Sequence, residues 1–391
     1  MRLLYSCLLI TWLSSCDVDT NQRFRREPGI VQIQLNTLDI DTVLLNHPNS
    51  SYIGFFEAYS NKVYFLDKLF ATATVFDLNG KYNGQHLGKG EGPDEVEGIR
   101  GYIPDGKDHI VFKGYSVYSF DKNWKRVKHA VLRWESDKSQ NELINNPEPD
   151  DAGIYEVKYK PEMYKIFDQE YFILNTESTH PKFNAYFSTV SQNFYQNAFT
   201  FALVNRKSLK IEKLFGHYPD VFQNRNIPNY ANWYADVTPD LVYMNFEADS
   251  LIYVYDKKTL QPSFCFGISG QGMKQNYLAT DTYEEAMDRW TEDRASNGYY
   301  TDIKAFSEQE LVFRIYTAGT SESDFQNKSV TDEYFPKRMQ IYHQKKLVGD
   351  VPVPDRFKII GYSDGYFIAD GLVDEFNNKM GFYRFKLPPL R

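Results

Sequence analysis

One short phrase recurs along the chain, an apolar or aromatic run that ends in Asp or Asn and then turns. Phe76-Asp77-Leu78-Asn79-Gly80-Lys81, Phe120-Asp121-Lys122-Asn123-Trp124-Lys125, Val204-Asn205-Arg206-Lys207-Ser208-Leu209 and Tyr255-Asp256-Lys257-Lys258-Thr259-Leu260 are its copies. Self-similarity at a fairly regular period marks a structural unit laid down repeatedly. The turn chemistry says what kind of unit. Asp and Asn side chains bond their own backbone two positions on, which closes a tight hairpin, and Asn79-Gly80 tolerates the positive φ that such hairpins need. The unit is therefore all-β, and radial repetition of small antiparallel sheets, a propeller, is the architecture that fits. Six short apolar runs bounded by turn-formers read as the middle strands of successive units: Val63–Leu66, His109–Phe112, Tyr171–Leu174, Leu241–Met244, Glu310–Phe313 and Gly365–Ile368. A four-stranded blade needs roughly forty to fifty residues, so the surplus between runs goes into loop insertions. The 30 Tyr and 29 Phe agree, because strands favour aromatic side chains.

A second echo follows the outer strands. Leu87-Gly88-Lys89-Gly90-Glu91-Gly92-Pro93-Asp94-Glu95-Val96 is matched by Phe215-Gly216-His217-Tyr218-Pro219-Asp220-Val221 and, loosely, by Phe266-Gly267-Ile268-Ser269-Gly270-Gln271-Gly272. Glycines suit the reversal by which a chain leaves one blade and crosses inward to the next. Phe76-Asp77-Leu78-Asn79-Gly80-Lys81 followed by Gly88-Lys89-Gly90-Glu91-Gly92-Pro93 resembles the six-bladed β-propeller lipoproteins of Bacteroidetes, which are related to NHL-repeat propellers. The resemblance implies six blades and an envelope location and names no activity. It is weakest in blades three and five, where the repeats are padded. Ile30–Leu35 alternates apolar and polar with period two and is expected to seal the ring as the missing strand of blade six, beside Met380–Phe385. One segment is helical in pattern. Thr282 with Glu285 forms a capping box, Tyr283, Ala286, Met287 and Trp290 share a face, and Asn297-Gly298 ends it. That predicts one short inserted helix of three to four turns between blades four and five. The polar run Glu135 to Asp151 reads as a solvated loop.

The N-terminus is set aside before fold reasoning. Arg2 precedes a mostly apolar run, Leu3 to Leu13, far shorter than the ~20 residues that span a bilayer. It ends Leu13-Ser14-Ser15-Cys16, which resembles a bacterial lipobox. That likeness implies cleavage before Cys16 and lipid on its thiol, so the expected organisation is a signal peptide (1–15), a lipidated tether (16–28) and the propeller (29–391). Cys7 leaves with the signal, and Cys265, between two Phe, reads as a small buried apolar residue. No disulfide is then available. The net charge of −8 and the absence of a Lys/Arg cluster argue against a nucleic-acid partner.

Recognisable catalytic motifs are missing. Gly88–Pro93 lacks the Gly-x-x-x-x-Gly-Lys-Ser/Thr of a phosphate loop. No Gly-x-Ser-x-Gly elbow occurs, no two His stand at metal-ligand spacing, and no calcium-loop pattern organises Asp236, Asp249, Asp302 and Asp370. No cofactor and no metal is expected. Aromatic, amide-rich stretches are the functional hint: Phe183 to Phe201, and Arg225 to Tyr234. Arg225, Tyr230, Trp233 and Tyr234, together with Arg100, Tyr102 and Tyr300 at the expected starts of inner strands and Trp290 on the helix, are the candidate ligand-binding residues. Rings and amides suit a glycan, and Tyr, Trp and Arg suit a peptide or envelope-protein partner. The expectation is a lipid-anchored binding or scaffold module. The alternative is a saccharide hydrolase or lyase with acids drawn from several blades.

Overall fold

Each apolar run read as a middle strand lies in the second strand of an antiparallel sheet, and six such sheets form a β-propeller. The computed structural model describes residues 23–45, 49–106, 108–161, 163–184, 193–222, 226–320, 336–374 and 376–390. Blade one comprises Gly54–Tyr59, Lys62–Asp67, Thr72–Asp77 and Tyr82–Leu87. Blade two comprises Gly101–Asp105, Asp108–Lys113, Ser116–Phe120 and Arg126–Val131. Blade three comprises Tyr164–Ile166, Tyr171–Ser178, Phe201–Asn205 and Ile211–Phe215, and Tyr155–Val157 adds to the far end of its second strand. Blade four comprises Trp233–Val237, Leu241–Phe246, Ile252–Asp256 and Pro262–Phe266. Blade five comprises Tyr299–Phe306, Leu311–Thr317, Lys337–His343 and Lys346–Val353. Blade six comprises Lys358–Ser363, Tyr366–Asp374 and Lys379–Phe385, with Ile40–Leu45 as its outer strand.

The ring is therefore sealed by an N-terminal strand, but not by the one expected. Ile40–Leu45 runs antiparallel to Met380–Phe385 over six residue pairs. Val31–Leu35 instead lies parallel to the outer strand of blade five, and Arg25–Arg26 lies parallel to the outer strand of blade four. Residues 23–35 thus form a strap along two blade edges before the chain reaches the closing position. Phe24 anchors it, its ring edge-on to Tyr253 and Tyr255 at 4.9 and 5.1 Å.

The recurring Asp and Asn residues sit where the third strand turns into the fourth. Asp77 Oδ1 accepts from the Asn79 and Lys81 amides at 2.8 and 2.9 Å, and Asp121 Oδ1 accepts from Asn123 and Lys125, both at 2.9 Å. Asn205 and Asp256 repeat the device in blades three and four. The crossing glycines have a steric reason. A Cβ on Gly267, at φ +127°, would stand 2.6 Å from the Ser250 carbonyl. The Gly88 loop closes on itself, with Glu95 accepting from the Gly92 amide at 2.8 Å and no helix following.

The inserted helix is two helices. Thr282 caps Tyr283–Asp288 by accepting from the Glu285 amide, and the chain then bends at Arg289 into Trp290–Ser296. The Asn229 amide donates to the Ala286 carbonyl at 2.8 Å, taking the acceptor that a continuous helix would use for the Trp290 amide. Glu135 to Asp151 is not wholly loop, since Ser139 and Glu142 form a reciprocal capping box on Gln140–Asn145. Apolar side chains fill the spaces between neighbouring blades, in clusters such as Leu45, Phe56, Phe65, Ile360, Met380 and Phe382 where blade six meets blade one.

Candidate functional site

Two places gather chemistry, one along the ring axis and one beside its mouth. The innermost strands of neighbouring blades contact one another around the axis. Asp236 on blade four accepts from the Ala305 amide of blade five at 3.0 Å and pairs with Lys304 at 3.2 Å and with Lys165 of blade three at 3.4 Å. Burial works against its charge, but the two ammonium groups outweigh it and hold the carboxyl below the usual range. Asp370 of blade six accepts from the Phe56 amide of blade one at 3.1 Å. Burial pushes Asp370 up to about 6 against the pull of that amide and of Lys358. Asp302 follows the same rule. Burial pushes it up to about 6, although Lys358 and Lys165 favour its ionised form. Asp236 thus staples the inner strand of blade four to that of blade five, and Asp370, on the second strand of blade six, staples that blade to the inner strand of blade one.

A carboxyl that binds its proton more tightly when folded stabilises the fold below its unfolded pKa, near 4, and that contribution is lost as pH rises to about 6. Raising the Asp302 carboxyl from near 4 to about 6 is worth ~3 kcal/mol. Asp302→Asn is therefore expected to be more stable than the parent by about that much at pH 7 and to match it near pH 4. Urea unfolding across this pH window measures the difference, and parallel curves for the two proteins would refute the assignment.

The second place is a pocket of about 450 Å³. It lies on the face where the chain crosses between blades. One wall comes from the segment before blade three, with Lys158, Tyr159 and Lys160. The opposite wall comes from the paired helices, with Tyr283, Met287 and Trp290, and Glu177 and Asn184 lie between. At its floor Lys158 is nearly inaccessible, its side chain 3% exposed. Its ammonium is 3.1 Å from Glu177 and lies over the Trp233 ring at 4.7 Å. The other Glu177 oxygen accepts from the Tyr159 amide at 3.2 Å. Tyr159 is 59% exposed, with the Arg100 guanidinium over its ring at 5.0 Å. Arg100 and Trp233 lie at the starts of the inner strands of blades two and four, so the pocket borders the channel mouth.

The helical wall is fastened from below. Arg294 pairs with the buried Glu247 at 2.7 Å and stacks 3.5 Å from the Tyr299 ring centre. Asn229 donates to Asp293 at 2.9 Å, and the Tyr230 hydroxyl donates to the Asp293 carbonyl. A wall held by buried polar contacts presents its aromatic side chains with little freedom left to lose on binding.

The eight candidate residues fall into distinct settings. Trp290 lines the pocket; Arg100 and Trp233 touch its lining residues. Trp233 itself is 1% exposed and its indole donates to the Thr200 carbonyl at 3.1 Å. Tyr230 is fully buried under the helices, and the Tyr234 hydroxyl donates to Glu247 at 3.3 Å. Tyr300 is fully buried beneath the Arg314 guanidinium, 3.9 Å away. Tyr102 is buried between blades one and two, its hydroxyl 2.7 Å from His109 Nδ1, whose pKa burial lowers to about 4. Arg225 lies outside the described residues. Of the carboxylates considered from sequence, Asp236 and Asp302 share the field of Lys165 and Lys304, and Asp302 and Asp370 that of Lys358, whereas Asp249 accepts from the Tyr253 hydroxyl at 2.6 Å. Lys158, Tyr159, Lys160 and Glu177 escaped the sequence reading, and only the pairing of an aromatic with flanking lysines marked them. Among the described residues, no group of three or more His, Cys, Asp or Glu is arranged to hold a metal ion.

The sequence matches no known protein family and no curated protein. Solved structures do match. A member of the DUF4221 family from Bacteroides vulgatus superimposes with a TM-score of 0.67 at 12% identity, over 90% of this chain and 98% of that one. A Bacteroides fragilis protein named 'Putative exported protein' superimposes with a TM-score of 0.50 at 12% identity, over 87% of each chain. What these chains share is the fold. At such identities the likeness supports the propeller and leaves its ligand to be argued from the pocket.

Proposed function

We propose that this chain is a lipid-anchored envelope protein whose propeller binds a glycan in the pocket beside the channel mouth. The observation that carries the reading is the pairing of two aromatic rings, the exposed Tyr159 and the half-buried Trp290, on two independent insertions over a floor made by Lys158 and Glu177. Flat rings suit the CH faces of sugars, and the Glu177 carboxylate, held by the buried Lys158, offers an acceptor to hydroxyls. The volume is within the range of small-ligand sites, roughly 300–1,000 Å³. A propeller is a common frame for binding and scaffolding, so the fold agrees without selecting the ligand. The envelope location is supported by the leader, by Leu13-Ser14-Ser15-Cys16 and by the Bacteroides fragilis protein of the same fold that is named for export. A peptide or envelope protein would use the same rings as anchors.

A glycan array followed by titration calorimetry on the hit tests the reading. Tyr159→Ala and Trp290→Ala are each expected to weaken binding by about tenfold or more, as truncation of an aromatic anchor does. Neither should change the thermal midpoint by much, because Tyr159 is exposed and Trp290 half-buried. Unchanged affinity in both would discard this pocket. Release of new reducing ends from the bound glycan would instead favour the hydrolytic alternative, with Glu177 and Glu156 as the carboxylates at hand.

A further inference from the structure

The strap along blades four and five carries an unusual surface for a chain of net charge −8. Its first residues include Arg23, Arg25 and Arg26, all exposed. Arg25 is paired with Glu27 at 2.8 Å, which also meets Lys345 at 3.4 Å, and Arg23 donates to the Gln196 carbonyl at 3.2 Å. A few residues on, Ile30, Val31 and Ile33 are 45%, 55% and 43% exposed. Leu35, on the same strand, is buried against the core between blades five and six. Exposed apolar side chains on an outermost strand are a liability in water, and here they stand beside a cluster of cations on one rim.

We infer that this rim is a contact surface for a membrane bearing anionic headgroups. The arginines meet lipid phosphates, and Ile30, Val31 and Ile33 enter the interfacial layer. Charge complementarity supports it, since basic residues next to a membrane segment are drawn to anionic lipid, and a basic and apolar surface together is the signature of an element lying in the interface. Chain length supports it independently. Arg23 follows Cys16 by seven residues, a stretch that reaches at most roughly 25 Å. This argument rests on the lipid-anchor reading; the charge argument does not. The strap follows blade edges, so contact there stands the ring on its rim and leaves the mouth pocket open to the side.

The test uses the full chain in vesicles, with a fluorophore on a cysteine at Ile33→Cys or, on the outer strand of blade two, at Val127→Cys. Cys265 is 4% exposed, with its thiol pushed up to about 11 by burial, and stays unlabelled. Lipids carrying a quencher in the upper acyl region are expected to quench the Ile33 probe and not the Val127 probe. Combining Arg23→Glu, Arg25→Glu and Arg26→Glu should cut quenching about tenfold in phosphatidylglycerol vesicles and change little in phosphatidylcholine alone. Equal quenching at both probes, or no effect of charge reversal, overturns the proposal. Self-quenching between Ile33 probes without vesicles also overturns it and gives the strap to a second copy of the chain. Labelled palmitate incorporation, lost in Cys16→Ala, reports the anchor separately. An unlabelled chain would sink that reading, while quenching after addition to anionic vesicles would still uphold the contact.

Discussion

A chain that begins at Leu38 is expected to fold, and one that begins at Asn49 is expected not to. The first loses the strap and keeps Ile40–Leu45; the second loses the strand that closes the ring. The strap contributes Phe24 on two tyrosine rings and the buried Leu35, about 2–4 kcal/mol by the usual value of buried apolar side chains. The closing strand contributes far more. It pairs with Met380–Phe385 along its whole length, and it places Leu45 in the cluster with Phe56, Phe65 and Phe382. Without it the third strand of blade six becomes an open edge, and the junction with blade one, where Arg384 donates to the Leu78 carbonyl at 3.0 Å, loses its cover. Roughly 1 kcal/mol for each lost ladder bond, added to the exposed core, approaches the whole 5–15 kcal/mol of a typical fold. Urea unfolding and gel filtration of the two chains decide the matter. A cooperative, monomeric chain from Asn49 would show that Ile40–Leu45 is dispensable.

Arg314→Ala is expected to cost about 5 kcal/mol, the largest effect of a single side chain here. Arg314 is fully buried on the second strand of blade five. Its guanidinium donates to the Ser250 carbonyl at 2.8 Å, to the Ile268 carbonyl at 2.7 Å, to Gln340 Oε1 at 2.6 and 2.9 Å and to the Tyr342 hydroxyl at 3.1 Å. One side chain thus ties a blade-four turn and the crossing segment to blade five. Removing it takes the charged donor from these buried acceptors, of which the Ile268 carbonyl keeps Tyr300 and Gln340 and Gln340 Oε1 keeps Tyr342, and opens a cavity over the Tyr300 ring. Arg314→Lys keeps the charge and loses the planar fork that serves several acceptors at once, so it should recover less than half of the loss. Urea unfolding gives both values. A loss below about 1 kcal/mol for Arg314→Ala would mean that other groups or water take over these acceptors.

The parts of the fold that were legible in the sequence are those set by neighbours in the chain. Asp77, Asp121, Asn205 and Asp256 bond amides two to four residues away, so their turns can be read from a few letters. The same holds for Thr282 and Glu285 at a helix start. Ser139 and Glu142 carried that signal too, inside a run whose polarity masked it. The continuous helix failed because Asn229, more than fifty residues earlier, takes the Ala286 carbonyl. The closing strand was misplaced for a related reason. Alternation of period two says that a strand is half-buried, not which edge it joins. Ile30–Leu35 alternates and Ile40–Leu45 does not, its apolar residues standing at 40, 43, 44 and 45, and only the path of the strap around blades four and five assigns the second to the gap.

The candidate site divides in the same way. Trp290 was found because helical periodicity put it on one face, and Arg100 because it precedes an inner strand. Tyr102, Tyr230, Trp233 and Tyr300 had the same composition and position signals, yet their side chains point into packed interior. By itself the sequence determined the repeating unit, its turns and the number of blades, because each is written in contacts between residues close along the chain. Which strand seals the ring, which aromatics face solvent, and how Lys158, Glu177 and Trp290 come to border one pocket were decided by the tertiary structure. Closing a ring brings together side chains far apart in sequence, and no local pattern encodes which of them will meet.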